Sequence, residues 1–405
     1  LQPAAQIMAM LDDALAIIDL SIVANQREDG LFHSYNLLDQ RQDAVAIDNL
    51  YPMLEGQVAA LSAGMIAAGN AAKLLEALFD SDIYCPARQS FMLYPDRQLP
   101  GFLAKNRMSA ERVEGIPLLK EMLAAGDESI VYRDADGICR FNPDITNAGH
   151  LRARLDALVE ICDANVESHA PVEALYEEVF RHKAFTGRSG TMFGYEGVGS
   201  IYWHMVSKLL LAVQENFFAA LESGTEASDR RRLGQLYYRV REGLGFNRSP
   251  DEYGAFPTDP YSHTPRHGGA SQPGMTGQVK EEVLSRFGEL GVRVADGTVR
   301  FQPHLLRARE FLQHPRDFRF LDVAGNWQEL SLPAPGLAFT WCQVPVIYVL
   351  ADDTGPMLTV TWSDGKEQNL GQLELPPEIS AELFERSGRV RQLTVTFGAA
   401  LLFAG

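Results

Sequence analysis

Cysteine is scarce. Cys85, Cys139, Cys162 and Cys342 are the only four in 405 residues, and no two of them form a C-x-x-C pair. The spacing gives no paired-cysteine zinc site and fits reduced thiols in a cytoplasmic protein. Long apolar runs are missing too. No stretch approaches the roughly 20 apolar residues that span a bilayer, so neither a transmembrane helix nor a membrane partner is expected. Basic charge is short: 36 Lys and Arg stand against 53 Asp and Glu, a net charge of −17. That field repels nucleic acid and anionic membranes. The chain has no G-x-x-x-x-G-K-[ST], no G-x-G-x-x-G after a strand, no H-E-x-x-H and no G-x-S-x-G. Nucleotide-binding, zinc-protease and α/β-hydrolase chemistries are therefore disfavoured, and no cofactor or metal is expected. The opening residues, LQPAAQIMAMLDDALAII, lack an initiator Met and a basic segment, so they read as a helix and not as a signal peptide. A piece of a longer polypeptide is expected, with the rest of that polypeptide or a second copy as partner.

What is present is the composition of a folded chain, 46% hydrophobic and 22% charged. Up to about residue 310, apolar residues recur at helical spacing. Ile7, Leu11, Leu15 and Ile18 form one stripe over 4–24, and Leu54, Val58, Leu61 and Met65 another over 54–68. Further helical stretches are 70–80, 110–125, 150–166, 171–183, 200–222, 228–242 and 278–290. A hairpin interrupts them at VYRDADGICRF, residues 131–141. Beyond residue 310, β-branched and aromatic runs at 318–323, 327–332, 337–350, 357–363 and 391–397 read as strands. The expected fold is mainly α. A toroid of α/α hairpins covers residues 1–310, and a small antiparallel β module covers residues 311–405.

Three loop regions are rich in polar, aromatic and glycine residues. The first, 27–38, combines Asp29, His33, Tyr35 and Asn36, the mixture of carboxylates, amides and rings that carbohydrate sites use. The second, 185–214, places five glycines before an amphipathic helix. Glu196 lies there among Tyr195, Tyr202 and Trp203; desolvation by those rings would keep it protonated as a general acid, although a capping Glu explains it as well. His204 and Lys208 follow at i, i+4, with burial the simpler reading for the His. The third, 251–282, is a long loop with Tyr253, Phe256, Tyr261 and Met275. It ends in Gly274-Met275-Thr276-Gly277-Gln278, which opens a helix whose exposed N–H groups suit an anion. His263, Arg266, His267 and Lys280 make this loop a local cationic cluster, a contrast that points to phosphate. Glu55 and the Asp96–Arg97 pair are lesser candidates, for which first-turn and ion-pair roles suffice.

Residues 274–305, GMTGQVKEEVLSRFGELGVRVADGTVRFQPHL, resemble the closing segment of the cellobiose and chitobiose phosphorylase family of inverting glycoside phosphorylases. The matching pieces are Met275-Thr276-Gly277-Gln278, Leu290-Gly291-Val292, and Asp296-Gly297 followed by Phe301 and Pro303. The resemblance implies an (α/α)6 barrel with a C-terminal β region. It implies that Thr276 and Gly277 contact phosphate, with His263, Arg266 or His267 as partners. Gly199-Ser200-Ile201-Tyr202-Trp203 is similar to the start of the family's catalytic helix. The Asp that precedes that helix in the family is missing here, and Glu196 is the nearest acid. The family's N-terminal β-sandwich is absent as well.

Three readings follow. An inverting phosphorylase acting on an oligosaccharide needs Glu196 as its single acid, with inorganic phosphate as co-substrate and nucleophile. An inverting hydrolase on the same scaffold needs a second carboxylate, from Asp29, Glu55, Asp96 or Asp259, to activate water. A non-catalytic glycan-binding or supporting domain needs neither. In the first two, Asp29, His33, Tyr35, Tyr195, Trp203 and Tyr261 would contact the sugar.

Overall fold

The computed structural model describes residues 4–40, 44–49, 52–96, 100–162, 169–180, 200–244, 263–265, 278–351 and 355–404. The chain divides into two compact units: Leu1–Pro95 together with Gly199–Gly405, and Asp96–Val198. The first unit opens with α1 (Ala4–Ala24), the hairpin β1 (Asn36–Gln40) and β2 (Val45–Asn49), then α2 (Leu54–Ser62), α3 (Ala68–Phe79), β3 (Tyr84–Cys85) and β4 (Ser90–Phe91). In the second unit, α4 (Phe102–Lys105), α5 (Ala110–Glu114), α6 (Pro117–Ala125), α7 (Ala148–Cys162) and α8 (His169–Phe180) surround the hairpin β5 (Val131–Arg133) and β6 (Cys139–Phe141). The first unit resumes with β7 (Ser200–Tyr202), α9 (Trp203–Glu222), α10 (Ala227–Glu242), β8 (His263–Pro265) and α11 (Gln278–Glu289). Strands β9 (Val292–Ala295), β10 (Thr298–Phe301), β11 (Arg316–Leu321), β12 (Trp327–Leu332), β13 (Gly336–Trp341), β14 (Val344–Leu350), β15 (Met357–Trp362) and β16 (Glu367–Leu370) follow. Helix α12 (Pro377–Phe384) and β17 (Val390–Phe397) close the chain.

The toroid expected from the hydrophobic spacing is not what forms. The chain is 44% helical and 24% strand, with several sheets, one of them five-stranded. Helix α9 is the axis of the helical part. Trp203, Val206, Leu209, Val213, Phe217 and Ala220 are all buried, and α2, α3, α10 and α11 pack on it. Helices α4 to α8 belong to the other unit. Helical spacing shows that a segment has an apolar stripe; it does not show which stripe meets which. Helix α1 illustrates this, because none of its residues is buried and Leu11, Leu15 and Ile18 stand 47–59% exposed.

Local signals do work. Helix α6 starts with Pro117 at its first turn and ends at Gly126 in the left-handed region (φ 73°). There the Asp127 amide donates to the Met122 carbonyl, as a glycine-terminated helix does. In the second unit, the buried Asn106 side chain bonds both backbone groups of Phe141, at 2.8 and 2.9 Å. Arg140, bonded to Asp134 at 2.6 Å, also donates to the Asn106 carbonyl.

The composition change near residue 310 lies inside the first unit, where the apolar interior separates into two cores. One collects side chains from Leu31 to Leu305 around α9; the other runs from Leu290 to Leu402 under the five-stranded sheet. The sheet order is β13-β14-β17-β15-β16, and the β14–β17 pair is parallel. The module is therefore mixed and not antiparallel throughout. The chain leaves β14, makes the β15–β16 hairpin and helix α12, and returns to insert β17 between β14 and β15, a crossover that a purely antiparallel order does not need.

Candidate functional site

Backbone pairing in the first unit joins parts of the second and third loop regions in one ladder. Ile201 of β7 bridges Met92, next to β4, on one side and pairs with Thr264 of β8 on the other. In the same register Tyr202 stands opposite His263. The Leu54 amide donates to the Leu93 carbonyl at 3.1 Å, which ties the start of α2 to the segment after β4. The first loop is fastened to α2 by a buried amide. The Gln57 side chain accepts from the Phe32 amide at 2.8 Å and donates to the carbonyls of Phe32 and Met53 at 2.8 and 2.9 Å. The Gly56 amide donates to Ser34 Oγ at 2.9 Å. A Cβ on Gly56 would lie 2.4 Å from that oxygen, so this approach needs glycine.

The candidates of the first loop separate by environment. Asp29 accepts Arg27 Nη2 at 2.7 Å and the Leu31 amide at 3.1 Å. The hydrogen bond from Arg27 holds its carboxyl below the usual range, so it stays ionised and shapes the turn through Gly30 (φ 82°). His33 is half-buried, its amide bonded to the Asn25 carbonyl, and its Nδ1 is buried with no hydrogen-bond partner among the described residues. Tyr35 donates its hydroxyl to Glu55 Oε2 at 2.8 Å. Glu55 sits half-buried in the first turn of α2, where the helix dipole favours a carboxylate. The structure thus gives this lesser candidate an aromatic partner from the first loop.

Trp203 is fully buried in the helical core, where it packs with its neighbours on α9. The ring of Tyr202 lies 5.7 Å from that of His204. Asp96 is exposed. For His263 the structure describes the backbone register alone. Glu196, Tyr195, Tyr261, Arg266, His267, Thr276, Gly277, Arg97 and Asp259 lie outside the described residues. Among the described residues no group of three His, Cys, Asp or Glu is placed to hold a metal ion, and no helix is long and apolar enough to cross a membrane.

One charged cluster has no counterpart in the sequence reading. Glu289, 1% exposed at the end of α11, accepts the Tyr237 hydroxyl at 2.7 Å and Arg241 Nε at 2.6 Å on one oxygen. Arg286 Nη1 bonds the other at 2.5 Å and also reaches Glu310 at 2.8 Å. Gln214 of α9 donates to the Ser285 carbonyl at 2.7 Å, across a contact with Gly288 that a Cβ would fill. Burial, reinforced by Glu289, pushes the Tyr237 hydroxyl well above the usual tyrosine range. The cluster anchors the C-terminal end of the helix whose other end adjoins Thr276-Gly277. Its signal in the sequence is faint: Tyr237 and Arg241 share a face of α10 at i, i+4, and Arg286 and Glu289 share one at i, i+3.

Residues 99–183 match the family model of GH149 phosphorylase insertion domain 2. The matched stretch falls within the second unit, which interrupts the sequence of the first between β4 and β7. No curated protein matches the chain. The match links this chain to glycoside phosphorylases in general and so to carbohydrate-active proteins. It does not point to the cellobiose and chitobiose phosphorylases in particular, the relationship that residues 274–305 resemble.

Proposed function

We propose that the protein cleaves a glycosidic bond of an oligosaccharide by inverting phosphorolysis. The observation that carries this reading is the match of residues 99–183 to a phosphorylase insertion domain. The pairing of β7 with β8, which joins the second loop region to the third, supports it. In this reading Glu196 donates its proton to the glycosidic oxygen while inorganic phosphate attacks the anomeric carbon from the opposite face. The phosphate is held at Thr276 and Gly277, with His263, Arg266 and His267 supplying positive charge. Asp29, His33, Tyr35, Tyr195 and Tyr261 position the sugar. The test is incubation with a panel of β-linked oligosaccharides, with and without phosphate. Phosphate-dependent release of sugar 1-phosphate, lost in Glu196→Gln, is the expected result. No product under either condition would overturn the catalytic reading.

A second reading, hydrolysis, draws support from Glu55, a half-buried carboxylate oriented by Tyr35 near the same ladder. An inverting hydrolase needs such a base for water. Phosphate-independent release of free sugar, abolished in Glu55→Gln, would select it.

A further inference from the structure

The C-terminal module carries an open cavity of about 390 Å³ that none of the loop regions contributes to. It lies between the β11–β12 hairpin and the ends of β14 and β17. Its walls are of two kinds. Phe320 and Leu330 give an apolar surface; Gln328, Gln343, Gln392 and Arg391 bring amide and guanidinium groups. The amides are held from behind. Gln328 Nε2 donates to Asp322 Oδ2 at 2.9 Å, Gln343 Nε2 donates to the Asp322 main-chain carbonyl at 3.1 Å, and Gln392 Nε2 donates to Thr394 Oγ1 at 3.0 Å. Asp322 itself is fixed by the amides of Ala324 and Asn326, at 3.0 and 2.9 Å. Each of the three glutamines therefore has its Nε2 committed, and their carbonyl oxygens have no hydrogen bond among the described residues.

The cavity carries no excess of positive charge. Its lining has two carboxylates, Asp322 and Glu329, and one guanidinium, Arg391, and Glu329 is also paired with Arg319, outside the lining, at 3.9 Å. A phosphate or another anion gains nothing from that lining, and a purely apolar ligand would strand the amides without partners. A neutral ligand with many hydroxyls and an apolar face satisfies both walls.

The backbone adds an independent observation. β13 and β14 are joined by a two-residue turn, Cys342-Gln343, with φ of 49° and 65°. That turn favours Asn-Gly, because both positions are left-handed. Glycine at 343 would be the easier residue for the turn, yet the position carries a glutamine whose side chain lines the cavity. Strain kept at one residue beside a pocket points to a task for its side chain.

We propose that this cavity binds a neutral saccharide, such as the end of an oligosaccharide chain, at a site apart from the β4–β7–β8 ladder. The experiment is calorimetric titration of the full chain and two variants with cellohexaose, laminarihexaose, maltohexaose and inorganic phosphate, alongside thermal unfolding. At least one hexasaccharide should bind the unaltered protein with a dissociation constant of roughly 10 μM to 10 mM, the range expected of an accessory site with few contacts. Gln343→Gly should weaken that binding at least tenfold while the unfolding midpoint stays level or rises, because glycine relieves the turn. Arg391→Ala, an exposed change, is the second variant and should weaken it to a similar degree. The proposal is overturned if no hexasaccharide binds, if phosphate alone binds, or if neither variant weakens binding.

Discussion

Glu289 accepts a hydrogen bond from Tyr237 at 2.7 Å in a place where the carboxylate is only 1% exposed. The same side chain is held by Arg241 from α10 and Arg286 from its own helix. A buried carboxylate with two arginine partners is a joint between α10 and α11, and it costs most when one member is removed. Glu289→Ala should destabilise the first unit by about 3–5 kcal/mol, because Arg241 and Arg286 then lose their common acceptor. Urea denaturation of the two proteins measures it; a loss below about 1 kcal/mol would show that the joint does not hold α11.

The tyrosines give a pH dependence. Burial raises Tyr237, Tyr238 and Tyr348 above the ordinary tyrosine value. In each case the folded state holds the proton more tightly than the unfolded state. Their stabilisation is therefore complete below the unfolded value of about 10 and is lost as pH rises beyond it. Denaturant midpoints should be level from neutral pH to about 9.5 and fall above pH 10. A midpoint that rises over that alkaline range would contradict the burial of these hydroxyls.

Gly291 has φ +77°, and a Cβ there would stand 2.2 Å from the Gln302 main-chain carbon. Backbone cannot yield as a side-chain tip does. Gly291→Ala should cost at least about 2 kcal/mol, from the left-handed conformation and the clash together. Gly297, at φ +75° with open space around its Cβ position, is the control. Gly297→Ala should cost less, since it meets the conformational penalty alone. Thermal unfolding of the pair ranks them.

Gln57 fastens the first loop to α2 with three hydrogen bonds and is fully buried. Gln57→Ala should cost about 1–3 kcal/mol, because both backbone groups of Phe32 lose their side-chain partner. Hydrogen exchange at the Phe32 amide should accelerate with it; unchanged exchange would mean that the loop is held by other contacts.

Tyr35→Phe removes the hydroxyl that donates to Glu55 and keeps the ring, and Tyr35 is 45% exposed. Stability should change by less than about 1 kcal/mol. On the proposed function the variant should raise KM for the oligosaccharide, by about tenfold for one lost hydrogen bond near the sugar. An unchanged KM would remove the first loop from the sugar site.

Much of the secondary structure was legible from residue order alone. Helix α1 matches its expected span and the hairpin at 131–141 forms around its Asp-Gly turn, while the single helix expected over 110–125 divides into α5 and α6, with Pro117 opening α6. These features depend on φ preferences and on spacing within one segment, which neighbouring residues set. The β1–β2 hairpin went unread because NLLDQ and VAIDN are short and mixed in polarity. The polar contrasts within the three loop regions were also readable, since they are matters of residue type.

The arrangement was not readable. Residue order gave α1 an apolar stripe, and the tertiary structure leaves that stripe without any buried residue. It gave helices enough to suggest a ring, and the structure gathers one group around α9 while it folds another into a separate unit. It offered Glu289 as one acid among many on a polar helix, and only packing made it a buried joint. The reason is the same in each case. A segment's own sequence sets its backbone conformation and its amphipathic face. Which faces meet, and which charges lose their water, depends on contacts between residues far apart in the chain.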